Sequence, residues 1–404
     1  APAPAAPAPA VPALASAASL PVAGRAAEPR RPEASAPGAD ARVHLAFCSD
    51  DADLRSLVVA INSTVANTRV PSSLVFHIVT TPDRARAVAS TIRAALPLLP
   101  MGSLEVHHNA SLQRHIEGLV SFRKSSGARK SLSSPFNFAP FYLDDFLSRS
   151  GSPPPRVIYL DTDVVLIGDV AELHRVDLQG FPAGAVEDCS QQFDIYIDFK
   201  ELRARGFDRK GLDPKACVFN RGVFVVDVAR WRDLRIREDI EVWMTRYRES
   251  KNDLYKFGMS QPPWLLALNG RYARLGAEWN CRGLGREFLN MQERSELKAS
   301  LGIGDAGLKA LGVRAAGANA RPFVATCAAS AKLLHFNGAM KPWRREKWGR
   351  KQKPPLCAKR DLGAPRRPSA RPAREGFVAC ADLWWAYLSA AALRALRDSS
   401  AAGR

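Results

Sequence analysis

The chain has 404 residues, 46% hydrophobic and 24% charged, enough to fill one large core or two smaller ones. Its formal net charge of +18 favours anionic partners, which include nucleotide phosphates, acidic polysaccharide, acidic membrane surfaces and nucleic acid. No run of about 18 uncharged apolar residues appears, which excludes a membrane-spanning helix in the chain as given, and seven scattered cysteines without C-x-x-C argue against a zinc ribbon or a thioredoxin-like site.

Residues 1–41 are mostly Ala and Pro and read as a disordered leader or stem that buries no core. With no initiator Met, an anchor or targeting segment is expected upstream. Val43 to Cys48 reads as a buried strand, stopped by the helix-start signal Ser49-Asp50-Asp51. Leu54, Leu57, Val58, Ile61 and Val65 then recur at helical spacing, and Leu74 to Val79 is a second strand. A helix near Asp83 to Leu96 and a short strand at Leu104 to His107 continue the alternation, which predicts right-handed β-α-β units in a mostly parallel sheet. A helix is expected from about Phe138 to Ser148, then a strand from Arg156 to Leu160. Gly222 to Val228 reads as another strand, Ile236 to Tyr247 as an amphipathic helix and Lys332 to Phe336 as a late strand. Residues 344–376 are Pro-rich and basic and read as a flexible insertion, ahead of a C-terminal helix within 377–404. Two glycosylation triplets occur, at Asn62, expected on a helix, and at Asn109. An odd number of cysteines leaves at least one thiol unpaired within the chain.

Two motifs carry chemistry. In Y-L-D-T-D-V-V-L, Tyr159 to Leu166, an apolar strand delivers Asp161 and Asp163 to its carboxyl end, where open α/β sheets bind ligands. Two carboxylates at that spacing reach one divalent cation where the strand bends into a loop, and such an ion neutralises a diphosphate leaving group. In H-F-N-G-A-M-K-P-W, His335 to Trp343, His335 offers an imidazole ligand, Gly338 lets backbone approach phosphate, and Lys341 supplies a point charge. Alone, a D-x-D is a common solvated turn and a single His a common structural residue. Together the two motifs describe a metal and phosphate site.

D-T-D followed by H-x-x-G-x-x-K-P-W resembles glycosyltransferase family 8. The likeness extends to Cys217-Val218-Phe219-Asn220-Arg221-Gly222-Val223, to Ala229-Arg230-Trp231-Arg232, and to Pro262-Pro263-Trp264-Leu265-Leu266 with Glu278-Trp279-Asn280. Within the family it is similar to galacturonosyltransferases, galacturonosyltransferase-like proteins and animal glycosyltransferase-8-domain-containing proteins. The resemblance implies a GT-A fold over residues 42–343, with a Rossmann-like, mostly parallel sheet flanked by helices. It implies Mn²⁺ (or Mg²⁺) on Asp161, Asp163 and His335, and a UDP-sugar donor. The diphosphate would meet Gly338 and Lys341, the nucleotide end Asp50 and Asp51, and the donor sugar Asn220, with Gln261 and Asp188 the catalytic positions. Transfer would retain anomeric configuration, the acceptor hydroxyl approaching the face that UDP leaves. The acceptor is expected to be a glycan, an acidic polysaccharide suiting the positive charge, with no nucleic acid as partner. Enzymes of this kind work in the Golgi lumen, tethered by the upstream segment; an organellar location is the lesser alternative.

The chain departs from the family pattern at three places. Pro140 stands where many members carry an Arg that helps hold the donor, Arg221 where a small residue is usual, and Asp53 where an aromatic commonly packs on the uracil. Arg221 or Arg123 is a candidate replacement cation. The departures make a catalytically silent scaffold, binding nucleotide sugar or acidic glycan, the alternative reading.

Overall fold

The computed structural model describes residues 42–402 apart from 123–129, 252, 257–258, 286–293, 296–297, 300–301, 311–330, 339, 348–355, 359–371 and 375–376. The expectations for the leader 1–41 and for Arg123 lie outside the described residues. The strands that place the site are β1 (Val43–Cys48), β2 (Leu74–Val79), β3 (Leu104–His107), β4 (Arg156–Leu160), β5 (Val164–Leu166), β6 (Ala183–Gln192), β7 (Cys217–Asp227), β8 (Ala273–Leu275) and β9 (Leu333–His335).

Seven of them form one sheet in the order β3-β2-β1-β4-β7-β6-β8. The first four run parallel, as do β6 and β8, while β7 lies antiparallel to both β4 and β6. The order turns outward on either side of β1 and β4, a switch point at whose carboxyl ends open α/β sheets bind ligands. This is the mostly parallel, Rossmann-like sheet expected of a GT-A fold.

Side-chain alternation divides the core into two layers. Leu45 and Phe47 of β1, Phe76 and Ile78 of β2 and Ile158 and Leu160 of β4 face one layer with helix Arg55–Asn67. Ala46, Val79, Val157, Tyr159 and Phe224 face the other, which is built round Trp231, Trp243 and Trp264. Burying side chains of this size stabilises by about 1.5–3 kcal/mol each relative to leaving them exposed. The two layers cover both faces of the sheet.

Several expectations are corrected. The helix expected over Phe138 to Ser148 is a series of tight turns, Pro135–Asn137, Ala139–Tyr142 and Leu147–Ser150, round one α-helical turn, Leu143–Phe146. Pro135 and Pro140 each sit in the first turn of a segment, where proline is tolerated because its missing N–H has no helical partner there. The first helix begins at Arg55, several residues past Ser49-Asp50-Asp51, with no side-chain cap. The strand expected at Gly222 begins at Cys217, because pairing with both neighbours extends it. Within 344–376, Leu356–Ala358 and Pro372–Arg374 form strands in a small antiparallel sheet with Phe377–Ala379. A disulfide joins Cys357 to Cys380 beside it. Two further helices follow, Cys380–Trp385 and Ala390–Ala402.

Neither glycosylation asparagine is free of structural work. Asn62 lies on the first helix and donates to the Tyr387 carbonyl at 2.7 Å, while Asn109 caps helix Ala110–Leu119 by accepting from the Ser111 and Leu112 amides. No described helix is long and apolar enough to cross a membrane.

Candidate active site

β4 ends at Leu160, and the chain turns through Asp161, Thr162 and Asp163 before β5. β5 pairs antiparallel with β9, Val164 opposite His335, so a ladder joining distant stretches of chain seats His335 beside Asp163. His335 Nε2 lies 3.1 Å from Asp163 Oδ1 and 3.7 Å from Asp161 Oδ2. Carboxylate and imidazole atoms of the three residues all fall within 4.8 Å of one another.

The other ring nitrogen fixes the protonation of His335. Its Nδ1–H donates to Asn280 Oδ1 at 2.9 Å; Asn280 Nδ2 donates in turn to Asn220 Oδ1 at 3.2 Å, which also accepts from the Gly222 amide at 2.8 Å. With both amides oriented in this way, the proton of the neutral ring sits on Nδ1. Nε2, buried and without a hydrogen-bond partner among the described residues, then presents a lone pair to two carboxylates. A buried polar atom left unmade costs about 1–3 kcal/mol. A lone pair facing carboxylate oxygens is repelled by them unless a cation stands between. The donor set fits a divalent metal ion on both counts.

Lys341 Nζ pairs with Asp163 Oδ2 and donates to the Phe336 carbonyl at 2.9 Å. Burial alone would push the Asp163 carboxyl up, but the Lys341 ammonium outweighs burial and holds it well below the usual carboxylate range. Tyr159 donates its hydroxyl to Asp161 Oδ1 at 2.7 Å, fixing that carboxylate from below. Gly222 passes directly under the cluster: a Cβ there would fall 2.6 Å from Asp161 Oδ2 and against the His335 ring. Gly338 adopts a φ of 123°, a conformation side chains rarely accept, and so turns the backbone between His335 and Lys341.

The remaining candidates occupy the surrounding wall. Asp50 and Asp51 follow β1 at the same end of the sheet; Asp50 accepts from Ser134 Oγ at 2.7 Å and Asp51 faces Arg344 at 3.3 Å. Asp53 is paired with Arg55. Gln261 opens helix Gln261–Leu268 and is tied to β7, donating to the Phe219 carbonyl at 2.7 Å and accepting from the Arg221 amide at 3.3 Å. Asp188 forms an ion pair with Arg282. Arg221 Nη1 is buried 3.8 Å from Asp161 Oδ1, without a hydrogen-bond partner among the described residues. Pro140 is buried in the turn Ala139–Tyr142. Sequence reasoning found the two carboxylates, His335 and Lys341 but gave no role to Asn280 or Tyr159; the only signal for Asn280 was its place in Glu278-Trp279-Asn280.

A family model for glycosyl transferase family 8 matches residues 44–347. Among relatives, Probable galacturonosyltransferase-like 3 of Arabidopsis thaliana is 32% identical over 247 residues, 61% of this chain and 67% of that protein. Probable galacturonosyltransferase-like 10 of the same plant is 34% identical over 258 residues, 63% and 66% of the respective chains. The matched stretch therefore spans about two thirds of the length of these relatives. Solved structures that align with the chain include the galactosyltransferase LgtC with donor and acceptor sugar analogues, at 19% identity, 76% and 92% coverage and a TM-score of 0.47. The apo glycosyltransferase GlyE of Streptococcus pneumoniae aligns at 15% identity, 90% and 64% coverage and a TM-score of 0.46. The family match runs from β1 to just beyond the Lys341-Pro342-Trp343 motif, and the chain belongs to glycosyltransferase family 8.

Proposed function

We propose that this chain is a metal-dependent, retaining glycosyltransferase that moves a hexosyl or uronosyl group from a UDP-sugar to a glycan acceptor. The observation that carries the reading is the buried Nε2 lone pair of His335, aimed at Asp161 and Asp163 and without a hydrogen-bond partner among the described residues. Asp161, Asp163 and His335 would hold Mn²⁺ or Mg²⁺, which supplies neutralisation of the diphosphate charge as the sugar–phosphate bond breaks. The other steps fall to the chain itself. Lys341, resting on Asp163, places an ammonium where the leaving diphosphate needs a counter-charge. Arg221, whose buried Nη1 lies 3.8 Å from Asp161 Oδ1 without a hydrogen-bond partner among the described residues, would supply the cation that Pro140 does not. Asn220, Gln261 and Asp188 border the position of the donor sugar. Gln261, held by two hydrogen bonds to β7, orients and stabilises the reacting carbon without serving as a nucleophile.

Galacturonosyl transfer in polysaccharide synthesis is the specific activity favoured here. It rests on the likeness to galacturonosyltransferase-like proteins and on a net charge of +18, which suits a polyuronide acceptor. The disulfides Cys189–Cys217 and Cys357–Cys380 belong in an oxidising compartment, which supports work in the Golgi lumen. A silent scaffold is the second reading, favoured by the buried Pro140 in place of the family Arg. Release of UDP from UDP-galacturonic acid, UDP-galactose, UDP-glucose and UDP-xylose, measured with Mn²⁺ and with EDTA, decides between them. Metal-dependent release from one donor establishes the enzyme. Tight donor binding with no release, even with acidic oligosaccharide present, establishes the scaffold.

A further inference from the structure

A second cluster of ligating side chains lies at the far edge of the sheet, on β1, β2 and β3, and the proposed transfer chemistry makes no use of it. The parallel register sets His77 of β2 between Ala46 of β1 and Glu105 of β3, with Val79 beside His107. Alternation puts His77, Glu105 and His107 on the face opposite Phe76, Ile78 and Val106. His44 joins them from β1. All three imidazoles are buried, at 4%, 2% and 6% exposure for His44, His77 and His107. Burying three titratable rings on adjacent strands is costly unless something organises them.

The spacing of the donor atoms suits a shared metal ion. His77 Nδ1 lies 3.0 Å from His107 Nε2, and Glu105 Oε2 lies 3.4 Å from the first and 3.5 Å from the second. A tetrahedral Zn²⁺ with bonds of about 2.0–2.1 Å sets its ligand atoms about 3.3–3.4 Å apart. The three atoms thus occupy nearly one face of such a tetrahedron. His44 Nδ1, 2.9 Å from His77 Nε2, completes the arrangement. If Nε2 of His77 donates to His44, its Nδ1 lone pair is turned toward the other two ligands, the outer hydrogen bond that a metal-bound imidazole requires. Glu105 is 42% exposed and opens the cluster to solvent, where water would take the fourth position.

We propose that His77, Glu105 and His107 form a zinc site, oriented by His44, that clamps the edge strand β3 to β2. Two imidazoles and one carboxylate select Zn²⁺ over Mg²⁺ or Ca²⁺, which favour all-oxygen ligands. Strand β3 stands three positions from β4, roughly 14 Å at about 4.8 Å per strand, so the clamp is distinct from the Asp161 cluster.

The test uses the full chain carrying Asp161→Ala and Asp163→Ala, which removes the competing carboxylates. Zinc content is measured after gel filtration, zinc affinity by competition with a chromophoric chelator, and geometry by the visible absorption of the Co²⁺-substituted protein. The expected result is one Zn²⁺ per chain with a tetrahedral Co²⁺ spectrum, weakened at least tenfold by Glu105→Gln and abolished by His107→Gln. Absence of stoichiometric zinc, or affinity unchanged in both variants, overturns the proposal and leaves a hydrogen-bonded imidazole ladder. If His107→Gln fails to fold, Glu105→Gln decides alone, since the partly exposed Glu105 can lose its charge without opening the core.

Discussion

At His335 the choice of tautomer determines whether the ring can ligate at all. The proton on Nδ1 is held by Asn280, which is itself held by Asn220 and the Gly222 amide, so a relay of two side-chain amides turns Nε2 into a lone-pair donor. Partners of this kind are typically worth about 10- to 100-fold in metal affinity. Asn280→Ala should therefore weaken Mn²⁺ binding by about that factor with the circular dichroism spectrum unchanged; equal affinity in variant and wild type would remove Asn280 from the site. Asp163 makes a second prediction at the same scale. Its carboxyl is depressed in the folded chain, against burial, by the Lys341 ammonium, so it contributes stability above the unfolded value of about 3.9. As pH falls below about 4 the unfolded chain takes up a proton that the folded chain refuses, and that stability is lost. Denaturant midpoints followed from pH 7 to about pH 3 in EDTA should fall less steeply for Asp163→Asn than for wild type; parallel curves would contradict the assignment. The sequence disclosed both ligands here because their chemistry is local to a motif. Asn280 was hidden, since its role exists only where β9 runs beside the turn Ala277–Asn280, a meeting of segments that no spacing rule encodes.

The site is assembled from element ends, and β7 sets how closely they meet. Its residue Gly222 runs beneath Asp161 and His335 with no room for a methyl group, while the Gly222 carbonyl accepts from the Asp161 amide at 2.7 Å. Gly222→Ala should displace the ligands, abolish measurable Mn²⁺ binding and cost about 1–3 kcal/mol of stability through overpacking. Titration calorimetry and denaturant melts check both halves, and a variant that binds Mn²⁺ normally would show the approach to be looser than described. The strands of the β-α-β half were legible to the residue, because buried parallel strands are continuous apolar runs such as Leu74–Val79. The stretch 138–148 was not, because Pro135 and Pro140 break a helical period that the apolar positions by themselves preserve. β6 was not either, since its polar end Asp188–Gln192 is a strand only through its pairing with β7.

Across the whole molecule, the fold and the charge point to the same partners. The carboxyl ends of β1 and β4 are where open α/β sheets bind ligands, and a net charge of +18 favours anionic partners. Binding of polygalacturonate to the full chain should weaken at least tenfold between low salt and about 1 M, where the screening length is about 3 Å; affinity indifferent to salt would argue for a neutral acceptor. This long-range attraction was visible in composition alone, whereas which loop meets the acceptor depends on side-chain placement that composition does not carry. The most direct test of the central claim is calorimetric titration of UDP into the purified full chain with Mn²⁺, with EDTA, and with Asp161→Ala/Asp163→Ala protein. Micromolar binding that requires the metal and vanishes in the double variant is the expected result. Equal binding in EDTA, or none from folded protein, would contradict it.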